Sequence, residues 1–215
     1  AFASILSLSA TAASVILFIS PMKEVQKTKA LGSTRGQSAL PFVFMWLNCC
    51  LWGLYGLQAR VLVVIVVNGI GAILSTYYFC IFVQVSKGTE RVQLLLSLFA
   101  ATGFVIWATL YSQKYVGPYV ETNFLPWIAT TICVLMFASP LIVVGEVIRK
   151  KDSSFLNFRL SVMSVVNCLA WSGLGILYKD LFILVPNVLG LLLSLAQIAL
   201  FVKYPAKPTT NPIPI

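Results

Sequence analysis

Two tryptophan and asparagine pairs are the residues of this chain whose types and spacing suit recognition of a small ligand. Trp52 precedes Asn68 by sixteen residues, and Trp171 precedes Asn187 by the same sixteen. An asparagine amide offers two donors and two acceptors, a set that pairs with vicinal hydroxyls, and an indole face stacks on the C–H surface of a pyranose ring. No Asp, Glu, Lys, Arg or His lies in the central part of any long apolar run. Proton-coupled carriers, pumps and voltage sensors need ionisable groups at membrane depth, so proton coupling is not expected. A retinal protein would need a lysine in its last helix, and residues 181–202 hold none. The ligand class that fits this chemistry is a neutral polyol.

The same residue types serve a second purpose in membranes, where asparagines hydrogen-bond neighbouring helices and tryptophans mark the interfacial belt. Asn48 and Asn167, four residues before each tryptophan, share its helix face and favour the helix-joining role. Prolines form a second group. Pro21 and Pro140 are expected to end helices 1 and 5, and Pro41 to open helix 2, each as a bending point or as a simple helix boundary. Pro186 is expected to interrupt helix 7 and free the Phe182 carbonyl. The five cysteines lie in apolar runs and read as small core residues, with no disulfide framework and no metal site.

Positioning these residues requires a bilayer. With 59% hydrophobic residues and 10% charged ones among 215, and a mean hydropathy of +0.93, the chain has too little polar surface for a soluble globule of this size. A spanning helix needs about 20 apolar residues. Seven runs qualify, near 2–20, 40–58, 61–85, 92–112, 123–148, 158–177 and 181–202. The first is read as helix 1 rather than a cleaved leader, because it lacks a basic flank and more spans follow. The net charge of +9 reflects topology and not nucleic acid, since 12 Lys and Arg residues fall in alternate gaps and 3 in the others. That bias predicts a cytoplasmic C-terminus and an extracellular or lumenal N-terminus.

A constant offset of 119 residues relates Ser20-Pro21 to Ser139-Pro140, Asn48-Cys49 to Asn167-Cys168, Trp52 to Trp171, Gly56 to Gly175, Asn68 to Asn187 and Gly71 to Gly190. Helices 1–3 therefore repeat as helices 5–7. For two three-helix units to point the same way, the connection must itself cross once. The predicted fold is an all-α membrane protein of 3+1+3 helices, with repeats over 1–86 and 120–203, a linker helix in 87–119 and a disordered tail over 204–215. No cofactor is called for, no enzyme chemistry is apparent, and a homo-oligomer is compatible with the pattern.

At these residues the sequence resembles the SWEET family of sugar uniporters, related to the PQ-loop carriers; SWEETs are an established example of such parallel repeats. The resemblance rests on Ser20-Pro21, Gly32 to Phe42, Trp52 to Gly56, Asn68-Gly69, Ala138 to Leu141 and Tyr178 to Gly190. It implies that Asn68 and Asn187 bind sugar flanked by Trp52 and Trp171. It also implies a cytoplasmic hinge of four prolines, here Pro21, Pro41 and Pro140 with Asn157 at the fourth place, and an outer gate of Tyr55 with Asp180. The repeat partner of Tyr55 is Leu174, so half of that gate is missing. The implied activity is bidirectional, facilitative transport of a hexose or small oligosaccharide such as sucrose by alternating access, in the plasma membrane or a Golgi or vacuolar membrane. A seven-helix receptor and a PQ-loop amino-acid carrier are the competing readings, the latter lacking a buried carboxylate.

Overall fold

The computed structural model describes residues 2–115 and 124–206, so residues 116–123 and the 207–215 part of the expected tail lie outside it. Every regular element among the described residues is helical. The elements are α1 (Phe2–Ile19), α2 (Met22–Leu31), α3 (Leu40–Ala59), α4 (Leu62–Val85), α5 (Gly88–Tyr115), α6 (Phe124–Met136), α7 (Ala138–Lys150), a single 3-10 turn (Ser153–Phe155), α8 (Phe158–Tyr178) and α9 (Leu181–Lys203). They make seven segments long and apolar enough to cross a membrane, the first formed by α1 with α2 and the fifth by α6 with α7.

Helix α1 ends before Pro21 as expected, but the span does not stop there. The chain turns at Ser20 and Pro21 and resumes as α2, with Pro21 at the N-cap, where its missing N–H removes no bond of the new helix. The proline leaves carbonyls of the preceding turn open, and side chains fill them. Ser20 Oγ donates to the Leu17 carbonyl at 2.7 Å, and Tyr78 Oη, from α4, donates to the Phe18 carbonyl at 2.8 Å. Residues 22–31 escape an apolar-run reading because four are charged, Lys23, Glu24, Lys27 and Lys29.

Pro140 does not end the fifth span either. The break falls at Phe137, and Pro140 sits in the first turn of α7, where N–H groups have no intrahelical acceptor. Leu141 N–H returns to the Phe137 carbonyl at 3.0 Å and restarts the ladder. Pro186 is likewise no interruption, since α9 runs unbroken from Leu181 to Lys203 with the ring buried inside it. Pro41 does open α3 as expected.

By packing, the described chain forms two compact units, one of 14–115 with 124–133 and the other of 2–13 with 134–206. The boundaries fall inside α1 and α6, the first helix of each repeat, so the division by packing lies elsewhere than the division by sequence repeat. In the first unit α4 packs on both α2 and α3, and the linker helix α5 packs mainly on α3. In the second, α9 packs on both α7 and α8. The third helix of each repeat thus occupies the middle, in the order first, third, second.

One glycine in each unit permits that arrangement. A Cβ on Gly71 of α4 would lie 2.5 Å from Cys49 Sγ of α3 and 2.8 Å from the Phe18 ring of α1. A Cβ on Gly190 of α9 would lie 3.0 Å from Cys168 Sγ of α8 and 3.2 Å from the Phe137 ring. Gly, Cys and Phe therefore join three helices at positions related by the same 119-residue offset. Without a strong hydrophobic drive between helices in lipid, such small-residue contacts carry the packing. The α3–α4 and α8–α9 turns also match. Arg60 (φ 56°) and Lys179 (φ 55°) close their helices in the left-handed region, and the next N–H bonds the Gly56 or Gly175 carbonyl at 2.9 or 2.8 Å.

Candidate functional site

The two asparagines are held alike. Asn68 Nδ2 donates to the Val64 carbonyl of its own helix at 2.8 Å, and Asn187 Nδ2 donates to the Ile183 carbonyl at 2.7 Å. Each bond spans four residues back and fixes the side-chain rotamer against the helix. It consumes one of the two amide hydrogens. The carbonyl oxygen and second hydrogen of each amide have no further hydrogen bond among the described residues, which is not how a residue spent on joining helices behaves. Asn68 is buried and Asn187 half-buried.

Trp52 and Trp171 are each 8% exposed, so neither presents its ring to the surroundings as a belt residue would. Trp52 meets the Tyr55 ring edge-on, with centroids 5.6 Å apart, which places the proposed gate tyrosine one turn beyond it on α3. Asn48, one turn before Trp52, is half-buried, and its Oδ1 is enclosed without a hydrogen-bond partner. The helix-joining role expected of Asn48 would use that oxygen, which here is left over. Ser172 Oγ, beside Trp171, is enclosed and unpaired in the same way.

Two residues implied as gate or hinge have a local structural task. Asp180 is the N-cap of α9, its Oδ1 accepting from Phe182 N–H at 2.9 Å and Ile183 N–H at 3.2 Å. Asn157 is the N-cap of α8, its Oδ1 accepting from Leu160 N–H at 3.2 Å. Both fit the strong preference for Asp and Asn at that position, a signal legible in the sequence as a short polar residue before an apolar run. At Asn157 the chain thus has a cap where the family resemblance places a proline.

A groove of about 430 Å³ opens between α3, α4 and α5, with Asn68 and Gly53 in its wall. Apart from Asn68 and Thr109 its main contributors are aliphatic residues and cysteines, and Trp52 is not among them. That lining suits a hydrocarbon rather than a polyol, so the groove is not the asparagine and tryptophan pocket inferred above. Among the described residues no three metal-ligating side chains converge, and none of the five cysteines is in a disulfide. The ion pairs found there are those of Glu146 with Arg149 and Lys150, in the last two turns of α7.

Comparison with known proteins places these features in context. A family profile described as a sugar efflux transporter for intercellular exchange matches residues 4–90 and again 123–209. The two starts differ by 119 residues (123 minus 4), the offset already found in the sequence. The chain is 30% identical over 195 residues to the bidirectional sugar transporter SWEET2a of Sorghum bicolor, covering 88% of this chain and 79% of that one. It is 34% identical over 196 residues to the bidirectional sugar transporter SWEET2b of Oryza sativa subsp. japonica, covering 89% and 85%. A solved structure of a eukaryotic SWEET transporter superposes with a TM-score of 0.85 at 29% identity, covering 95% of this chain and 99% of the other.

Proposed function

Because the chain belongs to the family of sugar efflux transporters for intercellular exchange, we propose that it carries a hexose or small oligosaccharide down its gradient, in either direction. In this reading Asn68 and Asn187 bind one sugar, Trp52 and Trp171 flank it, and the three-helix repeats 1–86 and 120–203 move against each other to alternate access. The observation that carries it is the pair of asparagines, held by the same backbone bond in each unit with donor and acceptor capacity left over. The breaks at Pro21 and Phe137, together with Pro41, Pro140 and Asn157 at helix starts, are the proposed places where the cytoplasmic ends bend. The membrane, the orientation with the C-terminus in the cytoplasm, and self-association belong to the same proposal.

Counterflow of radiolabelled sugars into liposomes holding the purified protein tests the reading across a panel of hexoses and disaccharides. Exchange of at least one sugar is expected. Its absence, with amino-acid exchange or none, would favour the carrier or receptor alternatives. The described spans hold no carboxylate, amine, guanidinium or imidazole in their central parts. Transport is therefore expected to show no response to membrane potential or to a proton gradient between about pH 5 and 8. Sugar accumulation driven by an imposed pH gradient would refute that.

The outer gate is proposed to pair Tyr55 with Asp180, a charge-assisted contact worth about 1.5–3 kcal/mol when shielded. Since Asp180 also caps α9, Asp180→Ala confounds the gate with the loss of a cap worth about 1 kcal/mol. Asp180→Asn separates them, because asparagine caps as well as aspartate. The Asp180→Asn variant is expected to keep its thermal stability while Leu184→Cys, with the native cysteines replaced, labels several-fold faster from outside. Equal labelling with and without Asp180→Asn, the introduced thiol being reactive in both backgrounds, counts against the gate.

A further inference from the structure

We propose that the turn joining α2 to α3 is a binding site for a phosphate group, presented by a lipid headgroup or by a soluble anion. A polar cavity of about 100 Å³ lies there, lined by Lys27, Thr28, Ser33, Thr34 and Arg35, with one carboxylate, Glu24. Lys27 and Arg35 are exposed and make no ion pair among the described residues. The backbone adds donors. Gly32, Arg35 and Gly36 take left-handed φ values of 61°, 48° and 78°. Consecutive N–H groups in such turns form anion-binding concavities. The N–H groups of Gly32, Arg35 and Gln37 are used, on Lys29 O, Ser33 Oγ and Thr34 O. Those of Ser33, Thr34 and Gly36 meet no acceptor among the described residues.

The turn is held in place. Thr34 is buried, and Thr28 Oγ1 on α2 bonds Gln37 Oε1 at 3.0 Å. A left-handed conformation at Arg35 is unfavourable for a non-glycine residue, and it brings that residue to the cavity wall opposite no carboxylate but Glu24. The second repeat does not reproduce the site. The 119-residue offset puts Glu146 in the place of Lys27 and Ser154 in that of Arg35, and Glu146 is already paired with Arg149 and Lys150. The site is thus single in the described chain. It follows directly on the first apolar span, Ala3–Leu31, so a membrane crossed by that span would bring the turn near its polar surface. Exposed Leu31 in the same wall offers an apolar edge to the lipid. Occupancy would tie the end of α2 to the start of α3, between Pro21 and Pro41.

The test uses the full chain in nanodiscs of neutral lipid. Binding of a short-chain phosphatidylinositol phosphate and of inorganic phosphate is measured separately. For whichever probe binds, Lys27→Gln with Arg35→Gln is expected to weaken binding by roughly 10-fold or more, through loss of two charge-assisted contacts. Lys23→Gln with Lys29→Gln, which removes the same total charge from α2 outside the cavity, should weaken it less than about 2-fold. Glu24→Gln should strengthen binding relative to Glu90→Gln, a change of equal charge elsewhere. Preference for the lipid probe assigns a headgroup site, and equal binding of both assigns a general phosphate site. No saturable binding of either probe, or equal losses in the Lys27/Arg35 and Lys23/Lys29 double variants, overturns the proposal.

Discussion

Asn68→Ala and Asn187→Ala are each expected to abolish most sugar transport while leaving the protein folded and inserted. The fold survives because each side-chain bond goes to a carbonyl of the same helix, Val64 or Ile183, rather than to a neighbouring helix. Removing it leaves the backbone ladder intact. The ligand, by contrast, loses a partner in a desolvated site, where an unsatisfied group costs about 1–3 kcal/mol, or roughly 5- to 150-fold in affinity. The measurements are uptake at equal surface expression and thermal unfolding of the purified variants. Wild-type uptake by either variant removes that asparagine from the site. Reduced uptake with an equally large fall in melting temperature would return it to a structural role. Asn48→Ala makes a graded comparison, since its enclosed Oδ1 has no partner among the described residues. Truncating it should affect sugar affinity and leave stability unchanged or raised, because an orphaned acceptor is removed.

The spans were legible in the sequence because long apolar runs separated by basic gaps leave few alternatives, and the repeat was legible because polar and small residues recur at one offset. Helix boundaries at prolines were less so. Proline forbids one N–H bond, but whether the chain stops or turns depends on what fills the opened carbonyls. At Leu17 and Phe18 those fillers are Ser20 and Tyr78, and Tyr78 is sixty residues away. Nor does apolar patterning reveal α2, whose residues are amphiphilic and charged. The order of helices within each unit, with the third in the middle, depends on which glycine faces which neighbour. That is not read from one helix alone. The candidate site divided along the same line. Residue types announced Asn68, Asn187 and the tryptophans. The spare capacity of the asparagine amides and the second task of Asp180 as a cap are geometric facts.

Gly71→Ala is expected to destabilise the protein more than any other single methyl addition at the repeated glycines that join three helices. The added carbon would stand 2.5 Å from Cys49 Sγ and 2.8 and 2.9 Å from two Phe18 ring atoms, so two helices must move at once. Overpacking of a filled core costs about 1–3 kcal/mol, and here the neighbours are a short side chain and a ring rather than a flexible end. At Gly190 the corresponding distances are 3.0 Å to Cys168 Sγ and 3.2 Å to Phe137, which a shift of a few tenths of an ångström relieves. Gly190→Ala should therefore cost less. The paired change isolates the cause. Cys49→Ala removes the nearer clash, so Gly71→Ala with Cys49→Ala should be more stable than the sum of the two single effects by about 0.5–3 kcal/mol, the coupling seen between contacting residues. Thermal unfolding in detergent, read for the wild type, the two single variants and the double, closes the cycle. Additive losses would mean that Gly71 and Cys49 do not share a contact, and equal losses at Gly71 and Gly190 would mean that the tighter packing of the first unit is not realised.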